Sequence, residues 1–144
     1  MATDKIILLD LNFTLVNRLK GSPRITPFER QIETEQYRQW LVEMLGNRYV
    51  ILPTARPERY MEQTLKRILK KTKWQPQEAY FSTISSFPHV KKEFILRNFV
   101  MPRHGIDGAN YFAIESNPKT RSAYAKYGIL SAPAFTENGV RISL

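Results

Sequence analysis

Short apolar runs alternate with stretches of helical spacing along most of this chain. Ile6-Ile7-Leu8-Leu9 is the first run, and its length and polar boundary predict a buried strand ending at Asp10. A polar stretch from Asn17 to Thr34 follows, containing Gly21, Pro23 and Pro27. Tyr37, Trp40, Leu41, Met44 and Leu45 then recur at helical spacing, with Gly46 as the stop. Tyr49-Val50-Ile51-Leu52 is the second predicted strand, and Pro57-Glu58 suits the first turn of a helix with Met61, Leu65, Ile68 and Leu69 on its inner face. Ala79-Tyr80-Phe81 predicts a short third strand. Val90 to Val100 predicts a helix broken by Pro102 and Gly105. Tyr111-Phe112-Ala113-Ile114 is the fourth strand, Asn117-Pro118 opens a helix that Gly128 ends, and Ile129-Leu130 starts a fifth strand. Glu137-Asn138-Gly139 is a turn signal between Ala134-Phe135 and Val140-Arg141-Ile142.

Strand and helix alternate about four times, which predicts an α/β fold: a three-layer sandwich around a Rossmann-like parallel sheet of four or five strands. Residues 1–144 are expected to form a single domain. Right-handed crossovers would place every strand's carboxyl end on one edge, where open α/β sheets hold ligands. Asp10, Thr54 and Glu115 each lie just beyond a predicted strand and so converge on that edge.

Composition narrows the partners. The net charge is +9, which favours polyanions such as nucleic acid, or phosphorylated substrates. The densest basic cluster, Lys66 to Lys73, also reads as a solvated helix face whose last-turn cations complement the helix dipole. Without cysteine, disulfides and thiolate metal sites are excluded, which fits a reducing, cytoplasmic setting. No apolar run reaches the roughly 18 residues of a membrane span, and residues 1–5 lack the pattern of a secretory signal. His89 and His104 lack metal-ligand spacing and read as structural or exposed.

Taken residue by residue, the candidate positions admit ordinary roles. Asp10, Asn12 and Thr14 are common turn residues, and Thr54 can satisfy backbone groups at a helix entry. Lys91 can be a solvated helix lysine, and Glu115 a carboxylate near a helix N-terminus. Arg56 either steers a phosphate or pairs with Glu58.

Together, however, these segments resemble the haloacid dehalogenase-like superfamily, most of whose members are magnesium-dependent phosphohydrolases. Asp10-Leu11-Asn12-Phe13-Thr14 is similar to its first motif, D-x-D-x-T, and Leu52-Pro53-Thr54 to its second, a strand ending in Thr or Ser. Val90-Lys91-Lys92-Glu93 stands at the place of the third motif's lysine, and Glu115-Ser116 at the acidic fourth motif. Thr54-Ala55-Arg56-Pro57, followed by Glu58 and Thr64, is reminiscent of branches related to polynucleotide 3′-phosphatases. The resemblance implies Asp10 as nucleophile, with Lys91, or its competitor Lys92, neutralising charge beside it. It implies Thr14, Thr54, Arg56 and Lys91 as contacts to the phosphorylated substrate. It implies a Mg²⁺ ion on Asp10, the Asn12 carbonyl and Glu115.

Two departures qualify it. The family's second aspartate, the general acid and base, is Asn12 here, and an amide exchanges no proton at neutral pH. Ser116 stands where a second acid is common. Asn17 to Thr34 is too short for a globular cap, so the site is expected to be open, with Arg18, Lys20, Arg24 and Arg30 around it. Two readings follow. One is a magnesium-dependent phosphatase, reduced in activity, acting on nucleic-acid ends. The other is a catalytically impaired relative that binds a phosphorylated or nucleic-acid partner.

Overall fold

The computed structural model describes residues 4–144, so the non-secretory reading of residues 1–3 lies outside it. Five parallel strands form one sheet in the order β3-β2-β1-β4-β5. They are β1 (Ile6–Leu9), β2 (Val50–Pro57), β3 (Glu78–Ser82), β4 (Tyr111–Ile114) and β5 (Leu130–Ala132). β1 lies at the centre, paired with β2 on one side and β4 on the other. The chain builds outward from β1 to β3, then returns to β4, so the strand order reverses between β1 and β4. Such a switch point opens a crevice at the carboxyl ends of the strands.

Alternation along the strands divides the core into the two faces that a three-layer sandwich requires. Ile7, Leu9, Val50, Leu52 and Ile114 pack on one face with Leu41, Val42 and Leu45 of α2 (Gln39–Leu45) and Ile68 of α3 (Met61–Thr72). Leu8, Ile51, Tyr111 and Ala113 pack on the other, against α4 (Pro88–Ile95), α5 (Met101–His104) and α6 (Pro118–Ala125). Among the described residues, no helix is long and apolar enough to cross a membrane.

Several boundaries differ from those the pattern predicts. β2 runs on to Pro57, so Thr54 lies inside the strand; its pairing with β3 shifts between Pro53 and Pro57. The helix expected from Pro57 begins at Met61, after one 3₁₀ turn at Glu58–Tyr60. Of the expected inner face, Ile68 is buried and Met61 and Leu65 pack partly buried against the core, joined by buried Thr64 and Thr72, while Leu69 is exposed. Tyr37 precedes α2 rather than belonging to it; it is buried and bridges Val16. Pro102 does not break the third helical stretch: α4 continues through a wider turn at Leu96–Val100 into α5, where Pro102 needs no amide, and Gly105 ends it. The stretch Asn17–Thr34 holds no globular unit, but it does contain a helix, α1 (Phe28–Thr34), whose buried residue is Ile32. The tail turn closes a single bridge between Phe135 and Arg141.

Candidate active site

Beyond β1 the chain turns sharply. The Leu15 amide donates to the Asp10 carbonyl at 3.3 Å and the Val16 amide to that of Leu11 at 2.9 Å. This wide loop needs Phe13 at φ +62°, a left-handed conformation that costs a side-chain-bearing residue roughly 1–2 kcal/mol. Arg38 holds it: its buried guanidinium donates to the carbonyls of Phe13 (2.8 Å) and Thr14 (2.6 Å). The loop thereby presents the Asp10 carboxylate and the Asn12 carbonyl to the crevice.

Asp10, Lys92 and Glu115 meet there as a buried ionic cluster. Lys92 Nζ lies 2.5 Å from Asp10 Oδ1 and 2.6 Å from Glu115 Oε1. The other oxygen of Asp10 accepts from Thr14 Oγ1 and Ser116 Oγ, each at 2.8 Å, and from the Ser116 amide at 3.3 Å. Glu115 Oε2 receives the Asn117 amide at 3.0 Å. Two carboxylates share one ammonium, so one surplus negative charge is buried. Asp10 has more donors and keeps the charge. Burial opposes its ionisation, but the charge of Lys92 and the hydrogen bonds of Lys92, Ser116 and Thr14 outweigh burial and lower its pKa. Glu115 is pushed up to about 7 by burial, which the Lys92 charge only partly offsets and the Asp10 charge reinforces. Lys92 is held protonated: burial works against it, but the two carboxylates prevail.

A second buried cluster adjoins the first. The Arg56 guanidinium meets both oxygens of Glu35 (3.1 and 2.7 Å), Thr64 Oγ1 at 2.9 Å and Asn12 Oδ1 at 2.9 Å. A guanidinium only donates, so the Asn12 oxygen must face it. The Asn12 amide nitrogen is thereby left for a ligand. Arg56 also lies 4.8 Å from the Phe28 ring centre, and its buried Nε has no partner.

The placement of the expected residues is uneven. Asp10, Asn12 and Glu115 come together, joined by Ser116, whose hydroxyl also approaches the Asn12 carbonyl at 3.4 Å. Lys92, not Lys91, stands beside Asp10; Lys91 is half-buried one step round the helix and donates to the Ala55 carbonyl at 3.1 Å. Thr14 is fully buried and holds Asp10. Thr54 is buried, and its hydroxyl accepts the Arg56 amide at 3.1 Å. Arg56 pairs with Glu35 and not with Glu58. Sequence reasoning missed Glu35, which sits in a polar stretch with no periodic signal, and Arg38. His104 lies 2.6 Å from Glu78 and His89 stacks on Phe87, both away from this cluster.

Two adjoining hollows open at this edge. The smaller, about 140 Å³, contains Asp10, Lys92, Glu115 and Ser116, with Lys20 at its wall and the fully buried, unpartnered hydroxyl of Thr120. The larger, about 760 Å³, is lined on one side by residues of the stretch 18–31. Asn12, Phe13, Ala55 and Pro88 line both. Among the described residues no three Asp, Glu or His side chains gather as a metal-binding group. Asp10 Oδ2, Ser116 Oγ and the Asn12 carbonyl oxygen do converge.

No protein-family model and no curated protein matches this chain. Solved structures do. A chain of the Pnkp1/Rnl/Hen1 complex superposes with a TM-score of 0.70 at 14% identity, over 90% of this chain and 45% of its own length. A chain of the Pnkp1/Rnl/Hen1 RNA repair complex gives 0.69 at 14% identity, over 92% and 43%. This chain thus spans less than half the length of either match. At such low identity the likeness is one of fold: the five-stranded α/β architecture is shared with components of RNA repair assemblies.

Proposed function

We propose that this chain is a haloacid dehalogenase-like phosphohydrolase that acts slowly on phosphorylated nucleic-acid ends, with Asp10 as nucleophile. One observation carries the reading: Asp10 lines a pocket of small-anion scale, held ionised by Lys92 and by the hydroxyls of Thr14 and Ser116. An ionised, oriented carboxylate is the form that attacks phosphorus. Its attack forms a bond from Asp10 oxygen to phosphorus and breaks the ester P–O bond, and the leaving alkoxide takes its proton from solvent. Water then attacks the phosphorus, releases phosphate and returns Asp10 as carboxylate. Lys92 and the free amide of Asn12 face the charge that gathers on the phosphoryl oxygens.

Asn12 supplies no proton in either step, which costs about 100- to 10,000-fold. The converging oxygens of Asp10, Ser116 and the Asn12 carbonyl suit a Mg²⁺ ion that keeps several waters, while Glu115 is taken up by Lys92 and Asn117. When bound, such an ion supplies further neutralisation of the phosphoryl charge.

A second reading, a site that binds a phosphoryl group without turning it over, is favoured by the Arg56 contact that fixes Asn12 as a donor. Phosphate release from a 3′-phosphorylated oligonucleotide with magnesium separates the two, measured for the native chain, Asp10→Asn and Asn12→Asp. Slow native release, lost in Asp10→Asn and raised in Asn12→Asp, supports the enzyme. Release by Asn12→Asp alone supports the binding protein. Silence in all three refutes the phosphohydrolase.

A further inference from the structure

We propose that the cleft of about 760 Å³ is a nucleoside subsite, which makes one phosphorylated nucleoside the unit this site recognises. The proposal rests on the phosphoryl reading of the Asp10 pocket. The two hollows adjoin, sharing Asn12, Phe13, Ala55 and Pro88, so a group esterified to a phosphate in the smaller one has the larger as its immediate neighbour.

The volume, about 760 Å³, is within the roughly 300–1,000 Å³ of small-ligand sites. Its walls combine ring faces with cations. Phe13, Phe28 and Tyr60 all line it, with Phe28 and Tyr60 edge to face at 4.8 Å. Aromatic faces stack any base, because every base has a π-face. Arg18, Arg24 and Lys91 add positive charge to the lining. The carboxylate among the lining residues, Glu35, is already neutralised by Arg56.

A phosphorylated peptide side chain would use the rings but bring no second anion. A nucleotide within a chain brings its next phosphate, and the cleft that would receive it carries Arg18, Arg24 and Lys91 in its lining. The flanking phosphates would then add salt-dependent affinity, with selectivity carried by the single base.

Isothermal titration of the full chain tests this with inorganic phosphate, ribose 5-phosphate, a nucleoside 3′-monophosphate, a 3′-phosphorylated dinucleotide and phosphotyrosine. The nucleoside monophosphate is expected to bind about 5- to 150-fold more tightly than ribose 5-phosphate, the range of one stacked base. The dinucleotide should add little at high salt. Phe28→Leu keeps apolar bulk over Arg56 but removes the ring face, and Tyr60→Leu does the same from the other side. In at least one of these folded variants the nucleotide-to-ribose-phosphate ratio should fall towards one.

Inorganic phosphate binding with no gain from the base overturns the subsite while leaving the phosphoryl reading intact. A gain that survives both variants overturns the location. Phosphotyrosine binding as tightly as the nucleotide overturns the ligand class. If none of the five binds, the subsite and the phosphoryl reading fall together.

Discussion

Replacing Lys92 by Met removes the one cation between two buried carboxylates. The side chains of Lys92, Asp10 and Glu115 are only 4%, 5% and 2% exposed, so water does little to screen the change. Breaking such a pair from one side costs about 3–5 kcal/mol, because the partners remain buried and unpaired. At 144 residues and about 2.1 cal/mol/K per residue, unfolding entropy near the midpoint is about 0.3 kcal/mol/K. Thermal melts at neutral pH should therefore show a loss of about 10–17 °C. Lys91→Met removes only a hydrogen bond to the Ala55 carbonyl, worth about 1 kcal/mol or about 3 °C. The Lys92→Met deficit should shrink towards pH 5, as protonation relieves the two facing carboxylates, and Glu115→Gln in the same chain should recover much of it. A loss no greater than that of Lys91→Met, or one that deepens as the pH falls towards 5, would refute the account of the cluster.

Two further outcomes follow from the same geometry. Glu115 titrates near 7 in the folded chain against an ordinary 4.5, so the folded state holds an extra proton between those values and stability falls as pH rises through that window. Asp10, with a lowered pKa, acts in the opposite sense but below its ordinary 3.8, outside the window. Urea midpoints of the native chain and Glu115→Gln check this; the variant should lose that part of the slope, and an unchanged slope sinks the assignment. Glu35→Ala leaves the Arg56 guanidinium buried without its carboxylate and should cost about 3–5 kcal/mol. A shift within the few degrees of a surface substitution would show that Glu35 is not its essential partner.

How much of this was legible follows from burial. The sheet could be read because parallel strands covered on both faces are unbroken apolar runs, and Asp10 and Glu115 because each ends such a run. The apolar run of β2 stops at Leu52 because Pro53-Thr54-Ala55-Arg56-Pro57 carries two prolines, two polar residues and a single small apolar one. These residues stay extended through the irregular pairing with β3, not through hydrophobic pattern. α1 was invisible because its buried residue is Ile32, too little for a periodic signal. Lys92 was within reach: it is three and four residues from the buried Ile95 and Leu96 and so shares their face, whereas Lys91 is rotated off it by about 100°. Glu35 was not, because a glutamate among polar neighbours looks the same whether it is solvated or sealed against an arginine. Nor could sequence show that Asn12 is gripped by Arg56.

The central claim is that Asp10 carries the phosphoryl group between two half-reactions and that Asn12 slows the second. The direct measurement is acid quenching of the chain with magnesium and a 3′-phosphorylated oligonucleotide radiolabelled in its terminal phosphate, followed by counting the label retained on protein. The account predicts label on the native chain, none on Asp10→Asn, and faster loss of label from Asn12→Asp. Equal labelling of native and Asp10→Asn chains, or phosphate release with no label at Asp10 at any time, would contradict it.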